Sequence, residues 1–176
     1  MEDKFFLLSQ SNKLIRTPEL LGLPETYVYK LDKLQFEQLD DLIVAYFYHH
    51  KRPEFSAILH QPTYLLADEL KLLFSKYDPT FLCKGIQLYA MEEECHEHYL
   101  YWVPEFVQVA CLHPKAEFYP NGMCKKIILN RAKIPNIPFF QLQETLENKI
   151  AVTLSVAESI LRRHLYGIRL EEIEVI

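Results

Sequence analysis

The sequence predicts one α+β domain over residues 1–176, with a largely antiparallel sheet and a few packed helices. Segments with the pattern of strands clearly outnumber helical segments, and short hairpin-like links join many of them. The length fits one domain, and a hydrophobic content of 49% is enough to build a core of its own. Near the C-terminus we expect a capped helix followed by a final strand.

Short apolar or alternating segments predict strands in the first third of the chain. We expect strands at Phe5–Ser9 and Thr26–Lys30, and an extended segment at Ala57–His60. Ile43–Tyr48 fits either a buried strand or the end of a helix. The apolar residues of Leu31–Asp41 fit neither the helical nor the strand period cleanly.

The first helix is predicted at Ala67–Tyr77, where apolar side chains recur at helical spacing. They are Leu66, Leu70, Leu73, Phe74 and Tyr77. Acidic residues in the first turn suit the helix dipole. The helix is expected to end at Asp78-Pro79, since a residue before proline avoids the helical conformation.

A β-hairpin is predicted from Ile86–Met91 and Tyr99–Val103, joined by an acidic, polar connection. In the second segment, the residues on both faces of the strand are apolar or aromatic. Further strands are expected at Lys126–Leu129 and Ile150–Leu154, and the prolines between them favour a loop or a sheet edge.

The second helix is predicted at Val156–Tyr166. Ser155 and Glu158 have the spacing of a capping box, and Gly167 is expected to end the helix in a left-handed conformation. Ile168–Val175 then alternates as a closing strand, with a bulge expected at Glu171-Glu172.

Charge and composition exclude several classes of protein. The net charge is −5, the basic residues do not cluster, and we therefore expect no direct nucleic-acid binding. No apolar run is long enough to span a bilayer, and the N-terminus lacks the pattern of a signal peptide. Four cysteines without a CxxC pair predict free thiols in a reducing cytoplasm.

Two Cys/His groups are candidate reactive sites. Cys95, His96 and His98 resemble zinc ligands, but no second ligand pair accompanies them, so we predict a solvated hairpin tip and no metal or cofactor. Cys111 and His113 are two residues apart and would share one face of a strand. Neither an orienting group nor an oxyanion donor is recognisable beside them. We therefore expect Cys111 and His113 to be structural residues in the core or at a sheet edge.

Three segments carry a family resemblance. They are VTLSVAESILRRHLYGIRLEEIEV at 152–175, YLLADELKLLF at 64–74 followed by YLYWVP at 99–104, and KKIILNR at 125–131. Together they resemble the Imm-eleven family, immunity proteins of bacterial polymorphic toxin systems once filed as a domain of unknown function. The resemblance covers roughly residues 60–175 and implies a cytosolic protein that binds and neutralises a cognate toxin. It supplies no catalytic residues.

The leading hypothesis is thus a non-enzymatic immunity protein that blocks a toxin by protein–protein contact. The oligomeric state is left open. The expected contact residues lie in the acidic hairpin connection and its flanking aromatics: Glu92, Glu93, Glu94, Glu97, Tyr99 and Tyr101. The alternatives are an enzyme that uses Cys111 and His113, and a small metal-binding regulator that uses Cys95, His96 and His98.

Overall fold

The computed structural model describes residues 4–24 and 30–176. The predicted strand Thr26–Lys30 lies outside the described residues except for Lys30. In chain order the described elements are β1 (Phe5–Gln10), α1 (Lys33–Gln38), β2 (Leu42–Phe47), β3 (Ile58–Leu59), β4 (Leu65–Ala67), α2 (Asp68–Tyr77), β5 (Cys83–Ala90), β6 (His98–Pro104), β7 (Gln108–Val109), β8 (Glu117–Phe118), β9 (Cys124–Lys126), β10 (Ile128–Leu129), β11 (Phe139–Leu142), β12 (Ile150–Thr153), α3 (Leu154–Leu161) and β13 (Ile168–Val175). The α+β class and the final helix-then-strand order are as predicted.

The described chain forms two compact units. The middle unit comprises the described part of Gln10–Glu105 together with Leu165–Ile168. The terminal unit comprises the described part of Met1–Ser9 with Phe106–His164 and Arg169–Ile176. Neither unit is one continuous piece of chain. That residues 1–176 form a single domain stays a prediction.

The middle unit contains, among its described residues, a five-stranded sheet in the order β2-β5-β6-β4-β3. The predicted hairpin is present as β5 and β6, which pair antiparallel. Strand β2 pairs parallel to β5, a neighbour that local patterning does not reveal. One sheet face lies on a core that includes Phe36, Phe47, Leu65, Leu88 and Val103.

Helix α2 closely matches its prediction. It spans Asp68–Tyr77, buries Leu70, Leu73 and Phe74, and ends where the Asp78 N–H donates to the Phe74 carbonyl. Ala67 precedes the first turn, and its side chain supplies no cap. Regular apolar spacing therefore located this helix to within a residue.

The terminal unit has a six-stranded sheet in the described part of the chain, in the order β10-β13-β1-β12-β11-β7. The antiparallel β1–β12 and β12–β11 pairs form its centre, and β10 runs parallel to β13. Fully buried Phe140, Leu142 and Ala151 belong to its core. The predicted first and closing strands are both present, while β8 and β9 form a separate antiparallel pair.

The capping box predicted at Ser155 and Glu158 is wrong. Helix α3 begins at Leu154, directly after β12, so Ser155 lies within the first turn and Thr153 occupies the N-cap position without a side-chain cap. The helix also ends at Leu161 rather than at Tyr166. The sequence rule fails here because the helix follows β12 without a loop, so the N-cap position falls on the last strand residue, Thr153, and not on Ser155.

Gly167 is left-handed as predicted, with φ +75°, but it does not end a helix. A Cβ at this position would lie 2.3 Å from Ser56 Cβ. Close approach of two backbone segments therefore requires the glycine.

Among residues 4–24 and 30–176, helices are too short or too polar to cross a membrane.

Candidate functional site

An apolar sheet face is left open in the middle unit. Strand β2 alternates exposed and buried residues, and its register with β5 and β6 places the exposed ones in rows. One row is Val44, Gln87 and Leu100, and the next is Tyr46, Tyr89 and His98. We call Leu42, Val44, Tyr46, Gln87, Tyr89 and Leu100 the open sheet face; its five apolar and aromatic members are 40–61% exposed.

Helix α2 contacts this same side of the sheet at the row that holds Trp102. The Trp102 indole N–H donates to the Asp68 carboxylate over 2.9 Å, and the Lys71 ammonium lies 4.4 Å from the centre of the ring. Leu66, paired with Trp102, is fully buried. The helix thus covers the β4 end of the sheet and leaves the β2–β5 end uncovered.

Acidic groups stand at both ends of the open sheet face. Asp40 and Asp41 directly precede β2, and Glu93 and Glu94 lie in the connection that follows β5. All four are exposed. Lys84 approaches Asp41, with 3.8 Å between the ammonium and the carboxylate. The face therefore lies between two ends that carry exposed acidic side chains.

Glu92 belongs to the fold of the hairpin tip. Its carboxylate accepts the backbone N–H groups of His49 (2.9 Å) and His50 (3.0 Å), and the His50 imidazole Nδ1 lies 2.6 Å away. These bonds, the His50 N–H foremost, lower the pKa of Glu92 to about 2. The two N–H groups open the 3₁₀ turn His49–Lys51. Glu92 thus caps this turn and ties it to the hairpin connection.

His49, Cys95 and Glu97 converge at the same tip. One potential ligand atom from each lies within 4.8 Å of the others, in the part of the chain that the structure describes. The His49 Nδ1 is 3.2 Å from a Glu97 carboxylate oxygen, which also accepts the Tyr99 hydroxyl at 3.3 Å. His96 and His98, grouped with Cys95 by the sequence, are outside this triad; His98 Nδ1 lies instead beside the His96 carbonyl, 3.2 Å away.

The sequence-predicted contact residues are not equivalent. Glu93 and Glu94 are exposed, and Glu97 is exposed but engaged with His49 and Tyr99. Tyr99 stacks on Phe55, with ring centroids 3.8 Å apart. Tyr101 is a core residue at 4% exposure, and its hydroxyl donates to the Ser56 carbonyl over 2.6 Å. Its ring therefore faces the fold rather than a partner.

Cys111 and His113 do not form a nucleophile pair. Cys111 is fully buried, and burial raises the pKa of its thiol to about 12, which keeps it protonated. The His113 Nδ1 instead accepts the Lys115 backbone N–H at 3.2 Å. A thiolate–imidazolium pair needs a lowered thiol pKa, so this arrangement lacks the chemistry of a cysteine nucleophile.

Sequence reasoning missed both Val44 on the open sheet face and His49 in the triad. The segment LIVAYF at 42–47 is apolar throughout, so nothing in it marks which residues face outward. His49 lies in the 3₁₀ turn that follows β2, far in the sequence from Cys95 and Glu97. The exposure of Val44 and the approach of His49 to Cys95 both depend on how β2 pairs with β5, which the nearby sequence does not reveal.

Comparison of the sequence with protein-family models and with curated proteins found no match. The resemblance to the Imm-eleven family therefore stays a prediction from the residues quoted for it.

Proposed function

We propose that this chain is a non-enzymatic immunity protein that binds a cognate protein toxin and blocks it by contact, without a metal or cofactor taking part in the blocking. The observation that supports contact best is the open sheet face, because large apolar side chains grouped on one exposed face are typical of interaction surfaces. The toxin as partner rests on the family resemblance.

Charge favours a partner with a basic rim. The acidic pairs at the two ends of the open sheet face lie where the polar border of an interface would form. The whole chain is also negative, with a net charge of −5, so a basic toxin domain would be attracted before contact. Such a toxin is the occupant we propose.

The buried, protonated Cys111 speaks against the enzyme alternative that uses Cys111 and His113. We propose the cytoplasm as the compartment, in agreement with four cysteines that are all free.

The test begins with capture of the tagged full-length protein from its native host, with bound proteins identified by mass spectrometry. Each captured protein is then expressed alone, and together with this chain, in a sensitive bacterium. We expect one captured protein to stop growth when alone and to be neutralised by the wild-type chain. Leu100→Glu should abolish this protection because it places a charge on the apolar face.

Leu72→Glu is the matched control. Leu72 is a leucine of similar exposure in the same unit, on helix α2 rather than on the open sheet face. Glutamate matches the acidic surroundings, so lost protection by Leu100→Glu reports lost apolar contact and not a reversed charge. Protection that survives Leu100→Glu and Val44→Glu, with both variants folded, would remove this face from the interface. Capture of no growth-inhibiting protein would contradict the immunity function itself.

A further inference from the structure

We propose that His49, Cys95 and Glu97 form a zinc-binding site at the tip of the β5–β6 hairpin. This inference does not depend on the immunity function, and it assigns His49, Cys95 and Glu97 a role other than contact with a toxin. It also differs from the grouping of Cys95 with His96 and His98 that the sequence pattern suggests.

The geometry of the three side chains is close to that of a metal site. Zinc binds imidazole nitrogen and carboxylate oxygen at about 2.0–2.2 Å and thiolate sulfur at about 2.3 Å. Tetrahedral ligand atoms are therefore about 3.3–3.8 Å apart. The three ligand atoms here lie within 4.8 Å of one another, and the His49–Glu97 pair is at 3.2 Å. Binding of one ion would therefore need the ligand atoms to close from at most 4.8 Å to about 3.3–3.8 Å.

The donor set favours zinc over the cations that take oxygen ligands. A thiolate with an imidazole favours zinc over magnesium or calcium, which take oxygen ligands. An ion pair between His49 and Glu97 accounts for those two side chains but gives no role to the thiol that faces them. A metal accounts for all three. Three protein ligands leave the fourth position of a tetrahedral zinc to water.

The backbone around the triad is held independently of a metal. The Glu92 carboxylate binds the His49 and His50 N–H groups, and the Cys95 N–H donates to the Glu92 carbonyl at 2.9 Å. The Ala90 N–H donates to the Glu97 carbonyl at 3.1 Å and closes the hairpin end. Glu92 is therefore a positioning residue: its carboxylate holds the backbone that carries His49 without itself joining the triad.

The primary test is titration of the reduced, chelator-treated full-length protein. Zinc binding is followed by calorimetry, and cobalt(II) binding by absorption, since cobalt bound to a thiolate gives a charge-transfer band. We expect one metal ion per chain and a thiolate band. Cys95→Ser should remove the band, and His49→Ala should weaken zinc binding at least about tenfold. Glu92→Gln should weaken it less than His49→Ala does, because it loosens the backbone that carries His49 but removes no ligand.

His96→Ala is the matched control, since it removes a histidine from the same connection but not from the triad. It should bind zinc like the wild type. The second measurement needs no variant: alkylation of the wild-type protein, mapped by mass spectrometry, should label Cys95 without zinc and spare it with zinc. Absence of zinc and cobalt binding by the wild type would overturn the proposal. So would a thiolate band that survives Cys95→Ser, or an equal loss of binding in His96→Ala and His49→Ala.

Discussion

At the scale of single residues, Glu54 joins three pieces of the middle unit that are far apart in the sequence. Its carboxylate accepts the backbone N–H groups of Ile15 and Arg16, each at 3.1 Å, and the Tyr166 hydroxyl at 3.0 Å. The Arg16 N–H is the largest cause, followed by the Tyr166 hydroxyl, of the lowered pKa of Glu54. A carboxylate that accepts several N–H and O–H groups is stabilised in its charged form, so Glu54 favours folding whenever it is ionised.

We expect Glu54→Gln to lower stability at neutral pH and to flatten its dependence on acid. The folded pKa lies below the ordinary value of 4.5, so the contribution of Glu54 is complete above about pH 4.5 and disappears as the pH falls through the folded pKa. Urea unfolding measured from pH 7 to pH 3 should show wild type and variant converging in acid. Glu158→Gln, which alters an exposed pair with Arg162, serves as control and should change little. A constant difference across the pH range would contradict this role.

At the scale of elements, apolar spacing located helices better than capping motifs did. The stripe through Leu70 and Phe74 placed α2 correctly, because burial of one face is decided by the same periodicity that the sequence shows. The motif at Ser155 was misleading, since Ser155 already lies within the first turn of α3. The capping box that does form is at Asp32 and Gln35, in a segment whose apolar residues followed no clear period. A cap is defined by where the helix begins, and that is set by the preceding chain.

Asp32→Ala is expected to destabilise the protein by about 1 kcal/mol. The Asp32 carboxylate accepts the Gln35 N–H at 2.7 Å, and the Gln35 side chain accepts the Asp32 N–H at 3.0 Å. Together they hold a six-residue helix whose Phe36 is buried in the core. Chemical denaturation measures the loss. Asp32→Asn keeps a good cap and should stay near the wild type, and an equal loss in both variants would point to charge rather than to capping.

At the scale of the whole molecule, the sequence predicts the α+β class and the β5–β6 hairpin, but it does not predict that β2 pairs with β5. An α+β fold follows from counting segments, and β5–β6 follows from two adjacent strands. The parallel neighbour β2 joins this hairpin across a long stretch of chain that contains α2, so no local rule finds it. Both candidate sites depend on that pairing: it aligns Val44 with Leu100 through Gln87, and it brings His49 to Cys95.

The chain passes from one unit to the other more than once. We therefore expect one cooperative unfolding transition, as a single domain would show. The segment Leu165–Ile168 belongs to the middle unit, but the chain on both sides of it belongs to the terminal unit. Within the middle unit this segment accepts the Ala57 N–H at the Tyr166 carbonyl and the Ser11 N–H at the Gly167 carbonyl, both at 2.8 Å. Unfolding of the terminal unit would release both ends of the segment and weaken these bonds, so the units should unfold together.

The chain offers one probe in each unit. Trp102, the single tryptophan, lies in the middle unit against Lys71 and Asp68, and its fluorescence reports that unit. Cys111 is fully buried in the terminal unit, so a thiol reagent reaches it only when that unit opens. In a urea titration we expect the two probes to share one midpoint, and Asp32→Ala should shift both by the same amount even though Asp32 lies in the middle unit. Separate midpoints, or a shift confined to Trp102, would mean that the two units are independent domains.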